Sequence, residues 1–166
     1  ERGCGGSDPP GVVYFYGDGR GGKHAEAFLA GFSGTLQVDG YAGYKRLARS
    51  ERPGGALVLA NCWAHARRKF HDLHAARPSA ITTEALRRIA ELYVIEAEIR
   101  GKPPHERQQV RQQRSRPLLD DFGSWLRATL EKLSRKSDTA AAIQYALNLW
   151  PALLRYCDNG IIEIDN

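Results

Sequence analysis

Strand-like and helical patterns of hydrophobic residues alternate along the first half of the chain. Leu36 and Val38 alternate with polar neighbours, which is the period-two pattern of a half-buried strand. Gly40 ends this pattern, because glycine lets a chain leave a sheet sharply. Two further runs are apolar and rich in β-branched or aromatic residues, as buried strands are. The predicted strands are 12–16, 35–39 and 56–60, and the predicted helices between them are 24–31 and 41–50.

Residues 62–74 follow the third predicted strand and have the pattern of an amphipathic helix. Trp63, Ala66, Phe70 and Leu73 fall on one face at about 100° per residue, so this face would pack on the sheet. The opposite face carries His65, Arg68, Lys69 and Asp72, while Arg67, His71 and His74 border the apolar stripe. The alternation of strands and helices up to this point indicates an α/β fold class.

The second half of the chain shows only helical periodicity. Helices are predicted at 81–100, 117–133 and 139–156, the last interrupted or kinked at Pro151, with an extended piece at 161–164. Because the strand pattern stops there, we expect a boundary at Pro78-Ser79. No methionine is present, even at position 1, so we also expect the sequence to be a piece of a longer protein.

Composition and charge narrow the class of protein. The 166 residues are 42% hydrophobic and 26% charged, which is ordinary for a folded domain, and no window approaches the ~18 apolar residues of a membrane span. Three widely spaced cysteines fit a reducing cytosol. Of the net charge of +5, residues 41–77 carry +6 and residues 101–116 carry +4. Such segregation favours a polyanionic partner, nucleic acid first, although a solvated basic face would look the same.

Asp39 and the basic helix are the candidates for chemistry. A carboxylate at the end of a strand lies at the rim of a sheet, where metal ligands are often found, but a turn aspartate bonded to its own backbone fits equally. Arg67, Arg68 and Lys69 could hold a phosphate backbone or could be solvated. His71, His74 and Cys62 lack a second ligand pair at zinc spacing, so we interpret both histidines as partly exposed helix residues.

Residues 17–24 contain a possible phosphate loop. They satisfy G-x-x-x-x-G-K, but His24 stands where such a loop needs Ser or Thr to hold Mg²⁺. A flexible glycine loop is the simpler interpretation.

Taken together, the segments resemble a known family. Residues 28–44 closely resemble a central motif of the insertion sequence 66 family of bacterial transposases, and residues 62–70 are similar to that family's next signature. Residues 111–119 and 133–137 match its helical region. The resemblance runs in order over nearly the whole chain.

The resemblance implies a ribonuclease-H-like catalytic core of the three-carboxylate (DDE) type, interrupted by a helical insertion. The implied divisions are a partial core at 1–78, the insertion at 79–158, and a return toward the core at 159–166. Asp39 matches the second catalytic carboxylate and would ligate Mg²⁺ or Mn²⁺ in a two-metal site. Glu163 and Asp165 do not match the position of the family's glutamate, so the other two carboxylates would lie outside this chain, which alone would be inactive.

The resemblance also implies partners. These are transposon-end and target DNA, other copies of the transposase in a homo-oligomer, and possible accessory transposition proteins, all in the bacterial cytoplasm at the nucleoid. The residues expected to contact DNA are Arg67, Arg68, Lys69, Tyr41 and His65. Two alternatives stay open, namely a non-catalytic nucleic-acid-binding remnant of a transposase and a phosphate-loop nucleotide-binding protein.

Overall fold

The computed structural model describes residues 13–19, 21–52 and 54–165. The strands are β1 (Thr35–Val38) and β2 (Val58–Asn61). The helices are α1 (Gly22–Phe28), α2 (Trp63–Ala76), α3 (Ala80–Glu98), α4 (Pro104–Val110), α5 (Arg116–Leu130) and α6 (Asp138–Asp158), with a 3₁₀ helix at Ala42–Ala48 and a π-helical turn at Arg111–Ser115. The described part is therefore a mixed α/β structure that is mostly helical, which agrees with the predicted class in its coarse form.

The two strands pair in parallel. Thr35 lies opposite Val58 and Val38 lies opposite Asn61, so both strands end at the same side of the sheet. We call this side, with Asp39 and Cys62 directly beyond it, the carboxyl edge. The crossover between the strands contains the 3₁₀ helix, where the sequence predicted a helix at 41–50. No helix among the described residues is long and apolar enough to cross a membrane.

The strand predicted at 12–16 is wrong for the residues that are described. Residues 13–16 lie outside any strand, and the side chains of Tyr14 and Tyr16 are 94% and 90% exposed. Val12 lies outside the described residues. An apolar run forms a strand only when a sheet edge accepts its backbone hydrogen bonds, and in the described structure β1 and β2 pair only with each other. The extended piece predicted at 161–164 forms no strand, and the chain turns at residues 159–162, where Ile162 N–H donates to Asn159 O (3.2 Å).

The core lies where α2 meets α3, α5 and α6. Trp63 is 1% exposed, and its indole N–H donates to Leu153 O (3.0 Å). Its ring lies 5.7 Å from that of Trp150 in an edge-to-face arrangement and 6.4 Å from that of Phe122. Trp63, Ala66 and Phe70 are buried, which confirms the predicted apolar face of α2. The expected boundary at residues 78–79 falls between α2 and α3, which pack against each other.

Pro151 does not interrupt α6, so of the two predicted outcomes, an interruption or a kink, the interruption is wrong. The helix continues from Asp138 to Asp158 with Pro151 inside it. Trp150 and Leu153, on either side of the proline, are both buried in the core. Their burial holds this stretch helical and offsets the backbone hydrogen bond that proline cannot donate.

Buried arginines tie the chain's last described residues to the helices. Arg111 is fully buried and donates to both carboxylate oxygens of Glu96 (2.8 and 2.6 Å). It also donates to the carbonyl oxygens of Tyr156 (2.9 Å) and Ile162 (2.8 Å). Arg107 donates twice to Glu163 (2.9 and 2.5 Å). Burying a guanidinium is costly unless its donors are paired, and apart from Arg107 Nε, which has no partner among the described residues, these donors are paired. The pairs fix residues 156–163 against α3 and α4.

Replacing Arg111 by alanine should strongly lower the free energy of unfolding. The change would leave the Glu96 carboxylate buried without its bidentate partner, which costs about 3–5 kcal/mol. Arg114 is the matched control, since it lies in the same π-helical turn and pairs with Glu98 on the same helix, but both side chains are about half exposed. Arg114→Ala should change stability far less. Urea unfolding of both variants measures the difference, and equal destabilisation would show that burial of the Arg111–Glu96 pair contributes nothing.

Candidate functional site at the carboxyl edge of the sheet

Asp39 follows β1 directly and is half-buried. Its Oδ1 accepts a hydrogen bond from Tyr41 N–H (2.9 Å), and its backbone carbonyl accepts one from Tyr145 Oη (3.1 Å). The bond to Tyr41 N–H is the local bond that a turn aspartate makes. The carboxyl end of a parallel strand is also where open α/β sheets bind their ligands. The geometry is therefore compatible with both interpretations of this residue.

Tyr145 links Asp39 to the basic helix. The ammonium group of Lys69, on α2, lies 5.4 Å from the centroid of the Tyr145 ring, a cation–π distance. Burial raises the pKa of Tyr145 above its usual value, and the nearby charges of Asp39 and Cys62 add to the rise. The phenol therefore stays protonated at neutral pH and can donate to the Asp39 carbonyl. Through this contact, α2 and α6 hold the turn that carries the carboxylate.

The remaining predicted contact residues differ in their exposure to solvent. Arg67 and Arg68 are exposed on α2, and neither forms an ion pair within the described part of the chain. Tyr41 is 45% exposed. His65 is half-buried, and its Nδ1 is enclosed without a hydrogen-bond partner among the described residues. Of the three cations, Lys69 is connected to Asp39 through Tyr145, and Arg67 and Arg68 stand on the same helix, which begins at this edge.

The second basic segment, 101–116, does not form a free cationic surface. Arg107 and Arg111 are buried in the pairs described above. The other three cations are each in an ion pair: Lys102 with Glu106, Arg114 with Glu98, and Arg116 with Asp120. The expectation that this segment contributes to a surface for a polyanion stays a prediction, and two of its five cations are buried in pairs while the other three are in ion pairs at the surface.

Asp165 holds the start of α2, a role that the sequence did not predict. Its Oδ1 accepts hydrogen bonds from Ala64 N–H (2.7 Å) and from Tyr93 Oη (2.8 Å), and Trp63 N–H donates to Ile164 O (3.0 Å). Burial, followed by the bond to Asp165, raises the pKa of Tyr93 well above its usual value, while the charge of Arg67 opposes the rise. A carboxylate at a helix N-terminus satisfies free N–H groups and complements the helix dipole.

One signal in the sequence could have revealed this contact. The residue at the N-cap of α2 is Cys62, whose side chain makes no capping hydrogen bond. The usual capping residues are Ser, Thr, Asp and Asn, so an acceptor from elsewhere in the chain was needed. Its position 101 residues away from Ala64 could not be read from local patterns.

A cleft of about 570 Å³ opens beside Asp39 on the side of the glycine loop. It is lined by Phe15, Gly19, Gly21, Gly22, His24, Ala25, Phe28, Asp39, Tyr41 and Tyr44. The phosphate-loop interpretation is not favoured here, since such a loop joins a strand to a helix and residues 13–16 form no strand. Lys23 is not among the residues that line the cleft.

The described side chains at the carboxyl edge supply too few ligands to hold a metal ion by themselves. Asp39 supplies one hard oxygen donor of the kind that Mg²⁺ prefers. Among residues 13–19, 21–52 and 54–165, no group of three or more His, Cys, Asp or Glu side chains is arranged to hold a metal ion. Cys62, His71 and His74 therefore form no such site. Cys62 is buried, and the Nδ1 of His74 is 2.9 Å from Thr82 Oγ1.

Comparison with known proteins decides the family. The model of a family described as "Transposase IS66 family" matches residues 2–166. The chain belongs to the IS66 transposase family. Residues 28–44 and 62–70, on which the resemblance rested, contain β1 with Asp39 and the first half of α2. The two IS66 motifs thus meet at the carboxyl edge.

Three relatives from Sinorhizobium fredii (strain NBRC 101917 / NGR234) are similar to this IS66 chain. Uncharacterized protein y4qI is 43% identical over 169 residues, which cover 100% of this chain and 31% of the relative. Uncharacterized protein y4jD is 42% identical over 163 residues, or 97% of this chain and 32% of the relative. Uncharacterized protein y4hP is 35% identical over 178 residues, or 100% and 32%. The chain thus spans about a third of their length. No solved structure matches it.

Placing a side chain at Gly40 should disturb the turn that carries Asp39. Gly40 has φ of +87°, and a Cβ there would lie 2.8 Å from both Tyr145 Oη and Leu149 Cδ1. Gly101 is the control, because its φ is +76° and nothing would lie within 4 Å of its Cβ. We expect Gly101→Ala to cost about 1–2 kcal/mol from backbone strain alone. Gly40→Ala should cost more in urea unfolding, and an equal cost would show that the Tyr145 contact does not constrain the turn.

Proposed function

We propose that this chain is the central part of the catalytic domain of a DNA transposase. The full-length protein would cut transposon-end DNA and join it to target DNA. The supporting observation is that the two family motifs meet at the end of a parallel strand pair, with a carboxylate directly beyond β1. Residues 1–78 would belong to a ribonuclease-H-like core, residues 79–158 to a helical insertion, and residues 159–166 to the return toward that core.

In this proposal Asp39 ligates a divalent metal ion, Mg²⁺ or Mn²⁺. When bound, a pair of such ions activates a water or a 3′-hydroxyl and stabilises the leaving oxygen of the phosphodiester. Asp39 contributes one oxygen ligand, and the bond from Tyr41 N–H to Oδ1 orients its carboxylate. The described residues supply no cluster of three ligands, so the remaining carboxylates would come from the full-length protein outside this chain.

Arg67, Arg68 and Lys69 would hold the phosphate backbone near this carboxylate. The proposal is supported by the exposure of all three side chains on one helix, whereas two other cations of residues 41–77 are engaged within the protein. Arg46 pairs with Glu26 (2.6 Å), and the buried Arg52 donates to the carbonyl oxygens of Leu29 and Phe32. Tyr41 and His65 would add contacts at the same edge. The proposal further includes a homo-oligomer on DNA, accessory proteins, and action in the bacterial cytoplasm.

A non-catalytic nucleic-acid-binding remnant is the second candidate. It is favoured by the bond from Tyr41 N–H to Asp39, which a turn aspartate with no catalytic role would also make. The reading frame around the coding sequence separates the two. An upstream Asp and a downstream Asn-x-x-Glu-Arg in one open frame support the enzyme, whereas stop codons in those places support a remnant.

Asp39→Asn in the full-length protein should abolish strand transfer without unfolding it. The amide oxygen can still accept from Tyr41 N–H, but it lacks the charge that a metal ion needs. We expect a fall of at least about a hundredfold, as when one group that stabilises transition-state charge is removed. Strand transfer on a plasmid substrate and thermal unfolding measure the two effects. Asp72→Asn, an exposed carboxylate on α2, is the control, and retained transposition in Asp39→Asn would remove Asp39 from the mechanism.

Replacing Arg67, Arg68 and Lys69 together by glutamine should weaken DNA binding and its dependence on salt. The slope of log K against log salt should become shallower by about 0.9 for every phosphate that the protein no longer neutralises. The matched control replaces Lys132, Arg135 and Lys136 by glutamine, which removes the same charge from an exposed segment between α5 and α6. Titration of full-length protein with duplex DNA at several salt concentrations measures both. An equal weakening in the control would show that only net charge matters.

A further inference from the structure

Four aromatic rings line the cleft beside Asp39, and they form two pairs. Phe15 and Phe28 lie with ring centroids 5.3 Å apart, while Tyr41 and Tyr44 lie 5.8 Å apart, edge to face. The first pair joins the segment before the glycine loop to α1, and the second belongs to the 3₁₀ helix and its N-cap. The cleft thus has aromatic surface contributed by two separate elements.

Three of these four rings are partly open to solvent, and Tyr44 is half-buried. Phe15 is 58% exposed, Phe28 is 49% exposed and Tyr41 is 45% exposed. Gly19, Gly21 and Gly22 also line the cleft, and they have no side chains to fill it. The α1 side and the 3₁₀ helix are held together by the ion pair between Glu26 and Arg46 and by close packing, since a Cβ on Gly22 would lie 2.4 Å from Gly43 O. The cleft is therefore bounded by packed elements, and its volume is within the roughly 300–1,000 Å³ of small-ligand sites.

Asp39 connects this cleft to the cationic helix. The residue lines the cleft, while its carbonyl is bonded to Tyr145, whose ring contacts Lys69 of α2. A DNA strand whose phosphates lie along α2 would therefore pass close to Asp39, and its bases would lie next to the aromatic cleft. Flat, apolar rings next to a phosphate path are what unstacked bases bind, because every base has a π-face.

We propose that the cleft takes an unstacked nucleobase of the DNA strand whose phosphate lies at Asp39. Tyr41 and Phe28 provide the stacking surfaces, and each is in contact with the second ring of its pair, Tyr44 or Phe15. The proposal rests on the proposed transposase function and adds the form of DNA that this edge recognises, which is a base removed from the helical stack. Recognition by ring faces is tolerant of sequence.

The test compares DNA chains of equal charge with and without bases. The full-length protein is titrated with oligothymidylate and with an abasic sugar–phosphate oligomer of equal length. Tyr41→Ala and Phe28→Leu should each weaken binding to oligothymidylate by roughly 5- to 150-fold, which corresponds to stacking on one base, and leave binding to the abasic chain unchanged. Tyr41→Trp, which keeps a flat ring, should retain the preference. Phe32→Ala is the matched control, since Phe32 is 41% exposed in the same region and does not line the cleft.

A second experiment, with double-stranded DNA, shows whether the base comes from a duplex or from single-stranded DNA. If a 2-aminopurine in duplex DNA gains fluorescence with wild-type protein but not with Tyr41→Ala, the cleft takes a base extruded from a helix. If only oligothymidylate shows the dependence on Tyr41, the base comes from DNA that is already single-stranded. Either result supports an unstacked nucleobase as the ligand.

Three results would overturn the proposal. They are equal binding of the wild-type protein to both chains, an equal effect of Phe32→Ala, and a lower melting temperature of Tyr41→Ala with an unchanged ratio of the two affinities. The last would show that another part of the protein covers the rings.

Strand transfer by Asp39→Asn, measured beside the base preference of the wild-type protein, distinguishes failure of the cleft proposal from failure of the proposed transposase function. Abolished strand transfer without any base preference refutes the cleft alone, and a base preference with retained strand transfer refutes the proposed function alone.

Discussion

Parallel pairing of two four-residue strands is the constraint on which the rest of the structure depends. Because β1 and β2 run in the same direction, both end at one edge, and whatever follows each strand must begin there. Asp39 follows the first strand, and α2 begins two residues after the second. A carboxylate and a cationic helix are therefore neighbours even though more than twenty residues separate them in the chain. An antiparallel pairing of the same segments would have placed them at opposite ends of the sheet.

Two short parallel strands are weak by themselves, and the helices supply what the sheet lacks. The side chain of Gln37 on β1 donates to Glu163 O (2.8 Å), and Arg155 on α6 donates to the carbonyl of Leu59 on β2. Glu163 is itself bound by Arg107, and Asp165 caps α2. The arginines that bury their charge thus connect the helical part of the chain to the carboxyl edge. Loss of the Arg111 side chain would consequently loosen residues 162–165, including the Asp165 carboxylate that caps α2.

Periodicity predicted the elements whose burial is decided by their own residues. Trp63, Ala66 and Phe70 lie three and four positions apart, and they form the buried face of α2 as that spacing requires. Prediction from periodicity failed where the burial of a residue depends on a partner far away in the sequence. Residues 13–16 have the composition of a strand but pair with neither outer edge of the described sheet. Arg111 lies in a polar segment that is typical of a protein surface, but it is buried in an ion pair with Glu96 of another helix. Asp165, similarly, caps a helix that begins about a hundred residues earlier.

The pairing of charges also decides which cations can act on a ligand. A guanidinium that is buried against a carboxylate has given its donors to the protein and adds little field outside it. Arg107 and Arg111 are of this kind, whereas Arg67 and Arg68 are exposed without ion pairs in the described chain. The net charge of a segment therefore says less about nucleic acid than the number of its cations left unpaired. By that measure the basic face of α2, and not segment 101–116, has guanidinium groups that are free of carboxylate partners among the described residues, and α2 begins at the edge that bears Asp39.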